Sequence, residues 1–186
     1  PMLAQYKQIK EAHPGCLLFF RLGDFYELFY EDAVTAAQAL DITLTQRGGT
    51  KGEGVPMCGV PFHAYEAYLA RLIKQGFRVA ICEQMESPEV AKKRKGKTLV
   101  KRDVVRIVTP GTLTEDTLLD ARAHNFLLSI SPLFPKSSTL GLAWLDMSTG
   151  DFFLERGNLN ALSSVLARFN PNEIIIPDSL YGHPEL

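Results

Sequence analysis

The chain has 186 residues, 46% of them apolar and 22% charged, with a formal net charge of −1. That balance is ordinary for a folded globular protein, and the length suits one domain or two small ones. The longest apolar runs, such as "CLLFF", are too short to cross a bilayer, which argues against a membrane-spanning chain.

Taken in order, the pattern predicts a helix over Met2 to Ala12, with Leu3, Tyr6, Ile9 and Lys10 on one side. "HPG" ends it, because proline and glycine both interrupt the period. Residues Cys16 to Leu22 read as a buried strand. A second helix is expected from Phe25 to about Ala39. "DITLTQ" alternates and is β-branched, so it reads as a strand, followed by the glycine-rich loop "RGGTKGEG". A third helix is expected from His63 to Gln75, then strands at "FRVAICEQ" and "DVVRIVT". This order describes an α/β domain with a mixed sheet. A "TPGT" turn and a short acidic helix, "EDTLLDA", come next. Three strands follow closely, "NFLLSIS", "TLGLAWLDM" and "DFFLERG", and then a helix "ALSSVLARF" and a strand "EIIIP". A domain boundary is expected between Thr109 and Asn125, giving units over 1–112 and 125–186 joined by a linker over 113–124.

Nothing at the N-terminus resembles a secretion leader. The first residue is Pro1, and the last unit has one helix to cover its sheet. The expectation is a piece of a longer chain with a truncated second domain. Cys16, Cys58 and Cys82 are odd in number and widely spaced, so neither a zinc site nor a disulfide framework is expected. Buried thiols in a reducing cytoplasm fit better. Charge is uneven. Residues 1–110 carry 16 Lys and Arg against 12 Asp and Glu, whereas 111–186 carry 4 against 9. The excess concentrates in one stretch, where seven of the eleven residues from Lys92 to Arg102 are basic. Two readings fit it, a solvated loop and a salt-dependent contact to nucleic-acid phosphates.

No phosphate-cradling, zinc-protease, nucleophile-elbow or kinase pattern is present. Asp146 and Asp151 flank a turn and could hold a divalent metal, although "DMSTGD" also reads as plain hairpin chemistry. In the second helix, a 100° period gathers Tyr26, Phe29, Tyr30, Ala33, Ala37 and Leu40 into a core stripe. Phe25 and Glu27 fall about 100° to either side of it, and Leu28 falls nearly opposite. Asp24 at the helix cap with Glu27 three residues on matches a capping box. The competing reading makes Phe25 an apolar wedge able to enter a base step from the minor groove, favouring steps that unstack easily.

The blocks "FFRLGDFYELFYEDA", "DITLTQRG", "VPMCGVPFHA", "YLARLIKQGFRVAICEQ" and "VVRIVTPGT" resemble, in order, the N-terminal part of the bacterial MutS family of DNA mismatch-recognition proteins. They cover most of residues 1–125. "LAWLDMSTGDFFL" and "NPNEIIIP" resemble the start of that family's connector domain. The resemblance implies a mixed-sheet α/β mismatch-recognition domain followed by a truncated RNase H-like α/β connector. It implies that Phe25 stacks on a mispaired or unpaired base and that Glu27 hydrogen-bonds to it. Arg47 matches a DNA-backbone contact, and Leu22 a minor-groove contact. Lys92, Lys93, Arg94 and Lys95 are candidates for phosphate contact. The basic run is longer than the corresponding stretch expected in the family, so no specific contact is carried onto those four. The implied partners are mismatched duplex DNA, a second subunit in a homodimer and MutL. The implied location is the bacterial cytoplasm, at the nucleoid when DNA is bound. No catalysis and no cofactor are expected in this chain, because the resemblance assigns ATP, Mg and the ATPase to C-terminal parts beyond it. The alternatives are a metal-dependent nuclease or hydrolase using Asp146 and Asp151, and a protein-docking module using the acidic half.

Overall fold

The computed structural model describes residues 1–48, 54–94, 99–114, 123–134 and 137–184. These divide into two compact units, Pro1–Thr109 and Pro110–Leu186. Both are mixed α/β with mixed sheets. No helix among the described residues is long and apolar enough to cross a membrane.

The first unit runs α1 (Met2–Glu11), β1 (Cys16–Leu22), β2 (Phe25–Phe29), α2 (Tyr30–Leu40), β3 (Thr45–Arg47) and β4 (Val55–Pro61). A single tight helical turn, Phe62–Ala64, leads into α3 (Tyr65–Lys74), then β5 (Arg78–Gln84), α4 (Pro88–Lys93) and β6 (Arg102–Val108). The strands form one sheet in the order β3-β4-β2-β1-β5-β6. Only the central pair β1–β5 is parallel; the other neighbours are antiparallel.

The expected helix from Phe25 to Ala39 is corrected here. It begins at Tyr30, and Phe25–Phe29 is a strand. The two-residue loop Gly23-Asp24 turns β1 back on itself, so Leu22 opposes Phe25 and Phe20 opposes Glu27. Gly23 sits at φ +61°, the conformation a tight hairpin needs at its first loop position. With no helix start at Asp24, there is no capping box. The predicted stripe also changes: Leu28 is fully buried rather than facing away from the core. The strand expected over "DITLTQ" shrinks to Thr45–Arg47, because Asp41 at φ +52° still belongs to the end of α2. Strand β4 carries Pro56 and Pro61, which concealed it in the sequence. Pro61 is its last residue, and Pro56 pairs with the edge strand β3. Helix α4 takes up the start of the basic stretch, Lys92 and Lys93, with Ser87 Oγ accepting the Val90 N–H at its N-terminus.

A buried carboxylate ties these layers together. The pairing of β1 with β2 ends at Phe20 and Glu27. Two residues before Phe20, the Leu18 N–H donates instead to Asp32 of α2 at 3.0 Å. The same carboxylate accepts the Tyr6 hydroxyl at 3.1 Å and the Lys10 ammonium at 2.8 Å, both from α1. Tyr6, Phe20 and Phe29 meet edge-on beside it, with Cys16, Leu18, Ala80 and Cys82 completing the cluster. Burial pushes the Cys82 thiol up to about 12, so it packs as a neutral apolar group.

The second unit pairs β7 (Phe126–Pro132), β8 (Thr139–Asp146) and β9 (Phe152–Asn158) as an antiparallel meander, with β10 (Glu173–Ile175) parallel to β7. Helix α5 (Leu162–Phe169) covers one face, where Leu128, Ile130, Leu140, Leu142 and Trp144 are buried. The expected acidic helix at 115–121 lies outside the described residues. Asp146 ends β8 almost fully buried. It accepts from the His124 ring at 2.6 Å, the Asn125 N–H at 3.2 Å, and the Ser148 N–H and hydroxyl at 2.9 and 2.6 Å. Burial alone would raise its pKa, but the Ser148, His124 and backbone hydrogen bonds outweigh it and hold the value at about 2.

Two outcomes follow. Asp32→Ala strands the Leu18 N–H and leaves the Tyr6 hydroxyl only its longer hydrogen bonds with the Phe29 backbone, and is expected to cost about 2–4 kcal/mol in urea unfolding. Asp146 has a depressed folded pKa, so its contribution is complete above the unfolded value of 3.8 and is lost as pH falls toward 2. That contribution is about 2 kcal/mol. Unfolding measured between pH 5 and 2 should show this acid limb, and Asp146→Asn should flatten it.

Candidate nucleic-acid interface

Residues directly opposed on neighbouring strands share a face of the sheet. Leu22, Phe25 and Pro61 are aligned across β1, β2 and β4, and so are Phe20, Glu27 and Gly59. Phe25 and Glu27 are two residues apart on one strand, so their side chains leave the same face. A helix would have separated them by about 200°. Pairing also puts Arg47 of β3, opposite Val55, on this face. The sheet thus gathers Leu22, Phe25 and Glu27 of the β1–β2 hairpin with Arg47 of β3, 20 residues further along the chain from Glu27.

The opposite face of β2 fixes this arrangement. Tyr26 and Leu28 are buried there. The Tyr26 ring sits 5.6 Å from Phe19, 5.7 Å from Phe62 and 5.1 Å from Tyr65, and its hydroxyl donates to Glu83. Arg21 stacks on Phe62 with its guanidinium carbon 3.2 Å from the ring centre, and its Nε donates to the Gly23 carbonyl at 2.6 Å. The Phe62 N–H donates to the Asp24 carbonyl at 2.8 Å, which braces the hairpin loop.

On the exposed side Phe25 is 46% accessible, unusual for a phenylalanine beside a packed core. It leans over Gly59: a Cβ there would stand 3.8 Å from the Phe25 ring and 3.6 Å from Glu27 Cγ. A glycine in a strand often marks such a close approach, and that signal was readable in "MCGVP". A Cβ at 59 would meet both side chains at ordinary van der Waals distance. Leu22 is half-buried beside Phe25 and packs against the core cluster.

Glu27 is the electrostatic centre of the face. Its side chain is 17% exposed, and Arg47 Nη1 donates to Oε2 at 2.7 Å. Burial raises the Glu27 pKa above the usual carboxylate range, while Arg47 and, more weakly, Arg102 pull it back. Sequence reading missed Arg102 as a contributor here. Its guanidinium is held by the Arg21 carbonyl at 2.7 Å, Gln5 Oε1 at 3.0 Å and the Val100 carbonyl at 3.1 Å, above the Phe20 ring.

The basic stretch separates into different roles. Lys92 and Lys93 are exposed at the end of α4. Arg94 is half-buried, donating to Glu86 and to the Leu99 carbonyl, while Glu86 also accepts the Lys101 N–H. This arginine therefore closes a loop on its own chain. Lys95 lies outside the described residues. Among the described residues no three His, Cys, Asp or Glu side chains are grouped to hold a metal. Asp146 is occupied as described above, and Asp151 accepts the Thr149 hydroxyl at 2.8 Å within the β8–β9 turn.

Fold and face together define a two-unit mixed α/β protein whose first sheet presents an exposed aromatic, a half-buried carboxylate and an arginine. The chain belongs to the MutS family: the family model for MutS domain I matches residues 1–117, and that for MutS domain II matches residues 125–184. It is 58% identical over 184 residues to the DNA mismatch repair protein MutS of Bradyrhizobium sp. (strain ORS 278), covering 98% of this chain and 20% of that protein. It is 59% identical over 178 residues to the protein of the same name from Ruegeria pomeroyi, covering 96% and 20%. For the one from Nitrobacter winogradskyi the figures are 56% over 187 residues, 100% and 21%. The chain therefore spans about a fifth of the length of the curated relatives it matches.

The opposing effects on Glu27 give a direct check. Carboxyl titration followed by NMR should place Glu27 above an ordinary glutamate. Arg47→Gln should move it higher still, since the largest charge that lowers it is gone.

Proposed function

We propose that the first unit recognises mispaired or unpaired bases in duplex DNA, with Phe25 as the stacking wedge and Glu27 as the base-contacting carboxylate. The observation that carries this is the shared face: an exposed phenylalanine beside a half-buried carboxylate with a cation next to it. A phenyl ring inserted from the minor groove costs a few kcal/mol of unstacking, which a mispair or an extrahelical base reduces. That difference is read as selectivity without any groove-edge code. Leu22 supplies apolar surface beside the ring. Arg47, Lys92 and Lys93 offer positive charge to the backbone, a term that favours any duplex equally.

Glu27 adds the second discrimination. A carboxylate brought against phosphates is repelled, so on paired DNA it lowers affinity. On a mispair it gains a hydrogen bond, either to a base N–H or, once protonated, to a base acceptor. Its raised pKa supports the second option, because phosphate charge would push it further in the same direction. In the whole protein this module would act at the start of mismatch repair in a bacterial cytoplasm. A second subunit, MutL and an ATPase outside this chain would act with it.

The hydrolase alternative has less support, because its two carboxylates are engaged in turn hydrogen bonds. A docking role for the second unit is compatible with the main reading. Its outer strand leaves Phe152, Phe153 and Leu154 exposed.

Binding of matched and G·T-mispaired duplexes to the whole protein tests the proposal. Phe25→Ala should bring the two affinities together, chiefly by weakening the mispaired complex. Glu27→Ala should lose discrimination more than total affinity, with matched-duplex binding unchanged or tighter. A preserved preference in Phe25→Ala refutes the wedge, and an equal loss on both duplexes in Glu27→Ala refutes the carboxylate's role.

A further inference from the structure

We propose that Arg47 is a positioning residue that holds the Glu27 carboxylate while the face is empty and passes to a backbone phosphate when duplex DNA arrives, releasing Glu27 to meet a base. This inference rests on the recognition reading above and adds an order of events to it: backbone engagement comes before base inspection.

The geometry favours an exchange over a permanent pair. The Arg47 side chain is 41% exposed, against 17% for Glu27. An anion approaching the face meets the guanidinium first and the carboxylate behind it. Arg47 lies on β3, a three-residue edge strand whose residues are all exposed. Glu27 lies on a strand hydrogen-bonded on both sides and packed beneath by Tyr26 and Leu28. The partner free to move is therefore the arginine. Arg102, the other cation felt by Glu27, is unsuited to the task because three acceptors fix its guanidinium.

The energetics run the same way. A pair with one exposed partner gains little over its two separately hydrated charges, so it opens readily. A guanidinium fits a phosphate through its planar fork, and neutralising the phosphate releases condensed counterions. Once Arg47 leaves, Glu27 is a mostly buried carboxylate without its nearest cation. It then gains from any donor or proton within reach, and a mispaired base supplies an unsatisfied edge. A fully paired base does not, so on matched DNA the lost ion pair goes uncompensated. Arg47 thereby converts a sequence-blind backbone contact into a penalty that only a mispair offsets.

The test is the salt dependence of duplex binding by the whole protein, for the parent and for Arg47→Gln, Glu27→Gln and the double variant. Arg47→Gln should reduce the slope of log affinity against log salt by about one on both matched and mispaired duplexes. Glu27→Gln should tighten matched-duplex binding roughly threefold or more, and that gain should shrink in the Arg47→Gln background. An unchanged slope in Arg47→Gln means the arginine stays on Glu27 and overturns the exchange, as does an undiminished Glu27→Gln gain. Arg47→Lys keeps the charge and should keep the slope; a lost slope in a folded Arg47→Lys protein also overturns it. Phe25→Ala, run alongside, separates the two ideas. A persistent mismatch preference there fails the recognition reading, whereas a lost preference with an unchanged Arg47 slope fails the exchange alone.

Discussion

The register of β2 is the constraint on which the site depends. A shift of one residue would send Tyr26 and Leu28 to the open face and bury Phe25 and Glu27. Burying a charged glutamate in place of Leu28 would cost far more than the few kcal/mol that an aromatic or leucine side chain gains from burial. Three devices hold the register. The Gly23-Asp24 loop sets the β1 pairing, and the aromatic cluster of Phe19, Tyr26, Phe62 and Tyr65 locks one face. On the other side Phe29 stacks edge-on with Tyr6. The exposed phenylalanine is thus a by-product of buried neighbours that leave it no alternative.

Asp32 extends that constraint through the unit. Its carboxylate replaces a strand partner for Leu18 at the point where β2 turns into α2. It also draws α1 onto the sheet through Tyr6 and Lys10. Burial and the neighbouring Asp32 carboxylate push the Tyr6 hydroxyl well above the usual phenol range, so it stays a neutral donor. One side chain thereby fixes three elements beside the buried end of β2, while Phe25 at its other end stays exposed.

Much of this was legible in the residues. The strand Cys16–Leu22 was legible in its apolar run, and so were the strands at "DVVRIVT" and "TLGLAWLDM". The error at β2 has a physical origin. "FYELFYEDAVTAAQAL" keeps a helical period from Tyr26 to Leu40, and the strand occupies only its first five residues. The Gly-Asp pair between two apolar runs was the overlooked hairpin signal. Strand β4 was masked by its prolines, and α4 by the charge around it. Phe25 and Glu27 stood out because neither joined the core stripe, but periodicity placed them on opposite sides of a helix that does not exist there, and their roles at a base came from family resemblance. The Glu27–Arg47 pair spans 20 residues and the Arg102 field a further strand pair, and local pattern carries neither.

The central claim is that the Phe25 ring opens a base step. It is tested most directly by a fluorescent base such as 2-aminopurine placed beside a mispair, in complex with the whole protein. Emission rises when the base loses its stacking neighbour. The account predicts a rise on binding to the mispaired duplex, little change on the matched one, and no rise with Phe25→Ala. A rise of the same size without the ring, or none with it, would contradict the account.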